Sequence, residues 1–275
     1  MPKLSVTIIT RNEAANIAPA LGSVAWADDI VVVDCGSTDA TVDVARARGA
    51  RVFHRDWKGF AEQKNYAAEL AEHDWILSLD ADERVTPALA DEIRALMASE
   101  PAQAGYRIPR VSWYLGRWIR TTDWYPDRQL RLYDRRRARW GTRRVHESVN
   151  VDGEAGRLQH EIQHRPYRDL THHLDTMNRY TTLAAEEMYE QGRRSGLASL
   201  TVLPVAAFAR NYVLRRGFMQ GTRGFVISVL NSYYVLLKFL KLWERQTSGP
   251  GTTEPVSPDP HVRTPGPGPR GPGPT

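Results

Sequence analysis

The chain has 275 residues, of which 41% are hydrophobic and 25% charged, proportions that are ordinary for a soluble globular protein. Cys35 is the only cysteine, so no intramolecular disulfide can form and a reducing compartment is expected. The apolar run at the N-terminus is too short for a signal peptide. A net charge of +5 favours acidic partners such as nucleotides, anionic lipids or phosphorylated glycans.

Strands and helices alternate in the first eighty or so residues. Apolar, β-branched runs predict strands over 4–10, 30–33, 51–54 and 75–79. Helices are predicted in between, one ending near Trp26 and the others over 40–48 and 60–72. Thr38 or Asp39 can cap the second helix, and Gly49 suits its C-terminal end. The alternation indicates βαβ units and therefore an α/β protein with a parallel sheet.

Polar side chains follow three of these strands. The fourth strand is followed by Asp80, Asp82 and Glu83, before Thr86-Pro87 opens another helix. Close carboxylates repel each other, so the group needs water, as in a solvated loop, or a cation. Because ligands bind beyond the carboxyl ends of parallel strands, we expect the polar groups to converge on one crevice. Asp80 and Asp82 have the spacing that can hold Mg²⁺ or Mn²⁺ together with a diphosphate.

Four motifs in the N-terminal half carry a family resemblance: VTIITRNEAANI, DDIVVVDCGSTDAT, GFAEQKNYA and WILSLDADE. They resemble family 2 glycosyltransferases of the GT-A fold, whose nucleotide-sugar-binding sheet is Rossmann-like and mostly parallel. WYPDRQLRLY, VHE and YYVLLKFLKLWE extend the resemblance to bacterial lipopolysaccharide-core glycosyltransferases, notably those that place glucose on an inner-core heptose. The resemblance spans roughly residues 3–246 and implies a GT-A domain over 1–168.

The resemblance also implies roles in donor binding. A nucleotide site would be lined by Thr10, Arg11, Asn12 and Glu13 after the first strand. Asp34 would contact the base or ribose, although Cys35 stands where many relatives have an acid or a serine. Lys64 would reach the diphosphate as a point charge. Asp82 would be the main ligand of the divalent metal, with Asp80 nearer the ribose or the water shell of the metal.

Inverting transfer also needs a general base for the acceptor hydroxyl. The family pattern favours Glu147, and Asp123 and Asp127 are rivals in the loop-like stretch TTDWYPDRQ. The region 107–144 is rich in arginine and tryptophan, which suits a phosphorylated sugar. We expect acceptor contacts from four of its residues, Trp124, Asp127, Arg128 and Arg131. Nucleic acid is not an expected partner, because no nucleic-acid-binding motif accompanies the basic patch.

HEIQH, residues 160–164, fits the H-E-x-x-H pattern of zinc proteases, which requires a helix. Arg165-Pro166 follows at once and disfavours helical continuation. The segment also alternates as a strand does, and the resemblance implies a strand there. His164 is a further option for a contact with the metal.

The C-terminal part is predicted to be helical over 169–246, with helices near 170–192, 196–212 and 224–245. The uncharged run 224–237 is shorter than the ~20 residues that span a bilayer, so we expect attachment to a membrane surface without crossing. Lys238, Lys241 and Arg245 form a basic stripe on the last helix that suits an anionic interface. The alternative is packing on the catalytic domain or on a second subunit. Gly and Pro make up 15 of the last 29 residues, so 247–275 is predicted to be disordered.

Taken with the resemblance, these features predict a metal-dependent inverting glycosyltransferase at the cytoplasmic face of the inner membrane. It would move a hexose, expected to be glucose, from a UDP-sugar to a lipopolysaccharide-core or related glycolipid acceptor. Two alternatives remain: sugar transfer to a polyprenyl phosphate carrier, and a non-catalytic protein that binds sugar nucleotides.

Overall fold

The computed structural model describes residues 2–141 and 148–248, which form two compact units. Within these residues, the first unit comprises 2–112 and 126–166, and the second comprises 113–125 and 167–248. Residues 113–125, which the predicted domain 1–168 included, therefore belong to the helical unit. The division at 168 stays a prediction, and nearly all of the predicted tail lies outside the described residues.

The strands are β1 (Leu4–Thr10), β2 (Asp29–Asp34), β3 (Arg51–His54), β4 (Trp75–Asp80), β5 (Glu83–Val85), β6 (Gly105–Tyr114), β7 (Arg117–Ile119), β8 (Asp127–Asp134), β9 (Ala138–Trp140), β10 (Val149–Val151), β11 (Gly156–Arg157) and β12 (Ile162–His164). The helices are α1 (Ala14–Ser23), α2 (Thr41–Ala47), α3 (Phe60–Leu70), α4 (Pro87–Ala98), α5 (Leu170–Glu190), α6 (Leu197–Ala209) and α7 (Thr222–Ser248).

One large sheet organises the first unit, in the order β3-β2-β1-β4-β8-β6-β12-β5. The first four strands of this order pair in parallel, as the βαβ alternation predicts. β8 then runs antiparallel to both of its neighbours, β4 and β6. β1 and the middle of β2 are buried because both faces of the sheet are covered by helices. Ile17 of α1 and Leu89 of α4 pack in one core cluster, and Ala67 of α3 packs in another.

The structure corrects two local predictions around the helices. Neither Thr38 nor Asp39 caps α2: its N-cap is Ala40, and Asp39 instead accepts a hydrogen bond from the backbone N–H of Thr41. Gly49 has the predicted left-handed conformation, with φ +80°. Thr86 caps α4 as the sequence indicates, because its hydroxyl accepts a hydrogen bond from Leu89 N–H.

The H-E-x-x-H segment is not helical. Ile162–His164 is strand β12, which pairs with β5 and β6. The side chain of His160 pairs instead with Glu92 at 2.9 Å. The zinc-protease interpretation fails because a strand places residues four apart 13 Å or so from each other, too far to share one metal.

The second unit contains α5, α6 and α7, with a π-helical turn over Arg210–Leu214 after α6. By length and composition, two of its stretches, Leu197–Leu214 and Thr222–Ser248, suffice to cross a membrane. The last helix was expected to be too short to span a bilayer, because its uncharged run is short. The structure corrects this expectation, since α7 extends over 27 residues and includes the charged positions beyond that run. Length alone therefore does not decide how these helices meet a membrane.

Two of the three cations in the basic stripe of α7 contact α5, where the sequence predicted contacts with lipid headgroups. The Lys241 ammonium donates hydrogen bonds to side chains of Asn178 and Thr182 on α5, both at 2.7 Å. Arg245 forms an ion pair with Glu186, also on α5. These contacts hold α5 against α7, so two of the three predicted cations serve packing within the unit.

Candidate functional site

The polar ends of β1, β2 and β4 lie at one edge of the sheet. Thr10 is in register with Asp34 across the β1–β2 pair, and Ile9 is in register with Asp80 across the β1–β4 pair. The predicted convergence is therefore confirmed. It arises because three parallel strands of matched length end together, and their following residues must share the space beyond the sheet.

The loops after β1 and β2 are joined by hydrogen bonds. The Asn12 side-chain oxygen accepts from Thr38 N–H at 2.7 Å, and Asn12 N–H donates to the Ser37 hydroxyl at 2.8 Å. Asp34 is buried and accepts from the N–H groups of Gly36 and Ser37, both at 2.9 Å. Asn12 has φ +52°, which asparagine tolerates better than most residues. These bonds fix the backbone that would surround a nucleotide.

Two further predicted residues belong to the same edge. Glu13 N–H donates to the Thr41 hydroxyl at 2.7 Å, so the start of α1 is tied to α2. The hydroxyl of Thr10 is buried and has no hydrogen-bond partner among the described residues. Such an orphaned hydroxyl is costly unless a ligand or water completes its bonding. Arg11 follows it and is half-buried.

Two of the three acids grouped at the end of β4, Asp80 and Glu83, are neutralised by cations of the chain itself. The two carboxylate oxygens of Asp80 contact Lys64 Nζ at 3.0 Å and Arg131 Nη2 at 2.6 Å. Burial raises the pKa of Asp80, but the charges of Arg131 and Lys64 outweigh it and hold the pKa well below its usual range. The sequence left two alternatives for this group of acids, a solvated loop or a bound cation. The structure shows a third arrangement, in which Asp80 forms buried ion pairs with cations of the chain.

Glu83 extends these ion pairs from Asp80 and Arg131 to Arg110 on β6. Its Oε1 accepts hydrogen bonds from Arg131 at 2.7 Å and from Arg110 at 2.9 Å. Arg110 also contacts Asp127 Oδ2 at 2.5 Å. Lys64, Asp80, Arg131, Glu83, Arg110 and Asp127 therefore form one continuous chain of charges, which we term the ion-pair chain.

Asp82 lies beside a histidine. Its Oδ2 is 3.1 Å from His164 Nε2, and both side chains are buried. Burial raises the pKa of Asp82 above its usual value, against the opposing charge of His164. Among residues 2–141 and 148–248, no group of three or more His, Cys, Asp or Glu side chains is arranged to hold a metal. Any metal here would need ligands from a bound molecule as well.

An aromatic ring completes the surroundings of Lys64. The Lys64 ammonium lies 4.3 Å from the ring centroid of Trp140, a cation–π contact, and the side chain is almost fully buried. A lysine that is buried and contacts both a carboxylate and an aromatic ring is held in a fixed position, unlike a lysine on a solvated helix face.

The predicted acceptor residues fall in different places. Arg131 is buried in the ion-pair chain, and Arg128 donates a hydrogen bond to the carbonyl of Leu158 at 3.2 Å. Trp124 belongs to the second unit, where its indole N–H donates to Asn231 at 3.3 Å. Asp127 is half-buried and paired with Arg110. Asp127, Arg128 and Arg131 therefore share strand β8 of the first unit, Trp124 belongs to the second unit, and Glu147 lies outside the described residues.

Sequence reasoning counted Glu83 among three grouped acids but gave it no role, and it missed Arg110. Glu83 follows the D-x-D pair directly, and a third acid beside two buried ones needs a cation of its own. Arg110 is in β6, within the apolar run IPRVSWY. An arginine flanked by buried strand residues was a usable signal, because a charge at such a position requires a partner.

Three comparisons place the chain among known proteins. The family model "Glycosyl transferase family 2" matches residues 5–158. An uncharacterized glycosyltransferase of Rickettsia typhi is 31% identical over 89% of this chain and 88% of its own length. The lipopolysaccharide core biosynthesis glycosyltransferase LpsC of Rhizobium meliloti is 29% identical over 89% of this chain and 94% of its own.

One solved structure shares the fold. The mannosyltransferase PcManGT from Pyrobaculum calidifontis, in complex with GDP-Man and Mn²⁺, superposes with a TM-score of 0.55. The match covers 89% of this chain and 88% of that one, at 16% identity. At this level of identity the likeness concerns the fold.

Proposed function

This chain belongs to glycosyltransferase family 2 and has the GT-A fold, and we propose that it is an inverting hexosyltransferase of lipopolysaccharide-core assembly. Its donor would be a nucleotide sugar, expected to be UDP-glucose, and its acceptor a core glycolipid. The observation that carries the proposal is the edge of the sheet where Thr10, Asp34, Asp80 and Asp82 converge. The similarity to LpsC supports the acceptor class.

The residues present fit a divalent metal. Asp82 offers carboxylate oxygens beside the imidazole nitrogen of His164, a donor pair that suits Mn²⁺. The lowered pKa of Asp80 keeps a second carboxylate ionised nearby. Asp82, with His164 beside it, would hold Mg²⁺ or Mn²⁺, Asp80 would act from nearby or through the water shell of the metal, and the diphosphate would supply the remaining ligands. When bound, the metal would neutralise charge that develops on the leaving diphosphate.

The side chains of the ion-pair chain would position the donor. Lys64 and Arg131 are both held on Asp80, which keeps two cations at the strand end before any donor binds. Either cation could then exchange part of its contact with Asp80 for a diphosphate oxygen. Thr10, Arg11, Asn12, Glu13 and Asp34 would line the nucleoside. The orphaned Thr10 hydroxyl is the group best suited to gain a hydrogen bond there.

For the general base we retain Glu147. The carboxylates of its two rivals are already occupied, Asp127 by Arg110 and Asp123 by Arg210 at 2.7 Å. Their oxygens are thus engaged by guanidinium groups, whereas a general base must have an oxygen within hydrogen-bond reach of the acceptor hydroxyl. Direct contact of Trp124, Asp127, Arg128 or Arg131 with the acceptor remains part of the proposal. Transfer to a polyprenyl phosphate would not need such a base.

Because the acceptor is a glycolipid, the enzyme would work at the cytoplasmic face of the inner membrane, attached to its surface. A non-catalytic role in sugar-nucleotide binding is the remaining alternative. The buried, fully paired Asp80 and Lys64 weigh against it, since such an arrangement suits turnover of a charged donor.

The test is transfer from UDP-glucose to a truncated lipopolysaccharide core, with Mn²⁺ or with a chelator. Asp82→Ala should abolish transfer and weaken donor binding in Mn²⁺, while the protein stays folded. Asp91→Ala, which removes an exposed carboxylate from α4, is the matched control and should keep full activity. Unchanged turnover in Asp82→Ala would contradict the proposed metal site. Product formed only on a polyprenyl phosphate would show that this carrier, and not a core glycolipid, is the acceptor.

A further inference from the structure

Helix α6 is apolar on all sides and yet scarcely buried. Its 13 residues, LASLTVLPVAAFA, carry no charge, and Pro204 is its single buried residue. Val202 and Val205 are 60% and 69% exposed. Of the two apolar stretches, Leu197–Leu214 has only 11% of its length buried, against 33% for Thr222–Ser248. A helix without a polar face is normally covered, either by protein or by lipid.

The exposed apolar surface continues into the turn after α6. Val213 and Leu214 are 58% and 76% exposed, and Phe218 and Met219 are 52% and 62% exposed. Every exposed large hydrophobic side chain among the described residues belongs to the second unit. Apolar surface concentrated in this way marks an interaction site.

The charges around this surface indicate what covers it. Between residues 191 and 243 the chain has eight basic residues and no acid; Lys241 packs on α5, and the other seven are Arg193, Arg194, Arg210, Arg215, Arg216, Arg223 and Lys238. Pairing this surface with itself in a second copy would bring like charges together. An anionic lipid surface, in contrast, complements both the apolar residues and the cations around them.

The positions of the arginines also decide the orientation. Arg193 and Arg194 precede α6, and Arg215 and Arg216 follow the π-helical turn; all four are exposed. The apolar stretch Leu197–Leu214 has 18 residues and is about 27 Å long, close to the ~30 Å hydrocarbon core, but it contains Arg210. Crossing the bilayer would place this charge in hydrocarbon, at a high cost. Lying along the surface keeps the cations at both ends in the headgroup layer.

We propose that the exposed face of α6 and the turn Val213–Met219 lie in one leaflet of an anionic membrane, parallel to its surface. The proposal rests on the proposed function only in that a glycolipid acceptor gives the attachment its purpose. It moves the lipid contact from the basic stripe of α7, which packs on α5, to a different helix of the same unit.

The test uses the purified, detergent-free full chain and preformed vesicles, without donor or acceptor. The chain should sediment with vesicles of phosphatidylglycerol and phosphatidylethanolamine, and far less with pure phosphatidylcholine. Val202→Ser with Val205→Ser should weaken this binding roughly tenfold or more, because two exposed apolar side chains are lost. Leu170→Ser with Leu174→Ser, two exposed leucines on α5, is the matched control and should bind as the wild type does.

A label reports the depth directly. Cys35 is buried and its thiol pKa is raised to about 11 by burial, so a maleimide dye will react with an introduced thiol instead. An environment-sensitive dye on Val205→Cys should shift to the blue when anionic vesicles are added. The same dye on Leu174→Cys should shift little.

Three outcomes would overturn the proposal: equal binding of the Val202→Ser, Val205→Ser variant, no shift at position 205, or a lipid-free dimer that this variant dissociates. The last outcome would assign the surface to a second copy. Failure of the proposed function gives a different result, since UDP-glucose with Mn²⁺ would then not stabilise the lipid-free protein. A chain that gains stability from the donor but ignores vesicles contradicts the membrane inference alone.

Discussion

Glu83 has no exposed side-chain surface, and its carboxylate accepts hydrogen bonds from two buried guanidinium groups, Arg110 and Arg131. Through these contacts it connects Asp80 on the donor side with Asp127. Removing one partner of a buried ion pair is more damaging than removing a surface pair, because the remaining charge has neither water nor a counterion. Glu83 therefore holds the arginines in position without itself needing to touch the donor.

Glu83→Gln should lower the free energy of unfolding by about 3–5 kcal/mol, since two buried arginines lose a shared negative charge. Urea unfolding followed by circular dichroism measures this loss. Glu69→Gln is the matched control, because Glu69 pairs with Arg139 on the surface at 3.4 Å and exposed pairs contribute ~1 kcal/mol or less. Equal losses in the two variants would show that the ion-pair chain contributes little.

The same residue predicts how stability depends on pH. Burial opposes ionisation of Glu83, but Arg131 and Arg110 overcome it and lower its pKa. The stability that it contributes is therefore complete above the unfolded-state pKa, about 4.3, and is lost as the pH falls through the lower folded-state value. Wild-type stability should fall on acidification in this window, and that of Glu83→Gln should fall less steeply. Parallel curves would assign the acid sensitivity to other carboxylates.

The general base can be separated from its rivals by conservative substitutions. Glu147→Gln should slow the chemical step by roughly 10²–10⁴-fold while donor affinity holds, because the shape is kept and the proton acceptor is lost. Single-turnover rates and donor titrations measure the two effects. Glu154→Gln, an exposed acid nearby in sequence, is the control. Loss of the chemical step in Asp127→Asn alone would transfer the role to Asp127.

At the scale of elements, Asp123 joins a short 3₁₀ turn to the end of α6. Its carboxylate accepts from Arg210 at 2.7 Å and from the Asn211 side-chain amide at 2.7 Å. Thr122, which precedes it in the turn Thr122–Trp124, has φ +64°, a strained value for a β-branched residue. Hydrogen bonds from Arg210 and Asn211 hold Asp123 in this turn, so we expect its role to be structural.

Asp123→Asn should therefore destabilise the second unit by a few kcal/mol, because a buried charge–charge contact is lost. Turnover per folded molecule should stay near the wild-type value. Asp175→Asn, an exposed acid on α5, is the control and should change neither quantity. Wild-type stability of Asp123→Asn together with a large loss of turnover would instead identify Asp123 as the general base.

The elements differ in how far sequence predicts them. β1 to β4 were predictable because each is an apolar run bounded by polar or turn residues, and parallel pairing follows from the helices between them. The antiparallel position of β8 was not, because it depends on pairings with residues 55–59 positions away along the chain. The cations of Asp80 and Glu83 were missed for the same reason: Arg131 follows them by 51 and 48 positions.

At the scale of the whole molecule, composition predicted the class of partner but not which part of the chain contacts that partner. The net charge of +5 indicated acidic partners, and the acid-free segment 191–243 shows where most of the excess lies. Periodicity placed the lipid contact on α7, because sequence alone cannot show that Lys241 and Arg245 face α5. The exposure of α6 depends on how the three helices pack. Its sequence does not predict this exposure, because a uniformly apolar run does not distinguish a buried face from an exposed one.

The last prediction concerns stabilisation of the whole protein by its donor. A ligand at 100 times its dissociation constant adds about 2.7 kcal/mol to the free energy of unfolding. For a domain of 150–250 residues this corresponds to a rise in Tm of roughly 5–10 °C. UDP-glucose with Mn²⁺ should produce this rise in differential scanning calorimetry, GDP-mannose a smaller one, and either donor with a chelator little. Asp82→Asn should lose the Mn²⁺-dependent part, because its carboxamide carries no charge for the metal. Asp91→Asn, exposed on α4, should keep it. An equal rise in Tm for both donors would show that this site does not select the nucleotide base. An equal rise in Tm with the chelator would show that the donor binds through Lys64 and Arg131 without a metal.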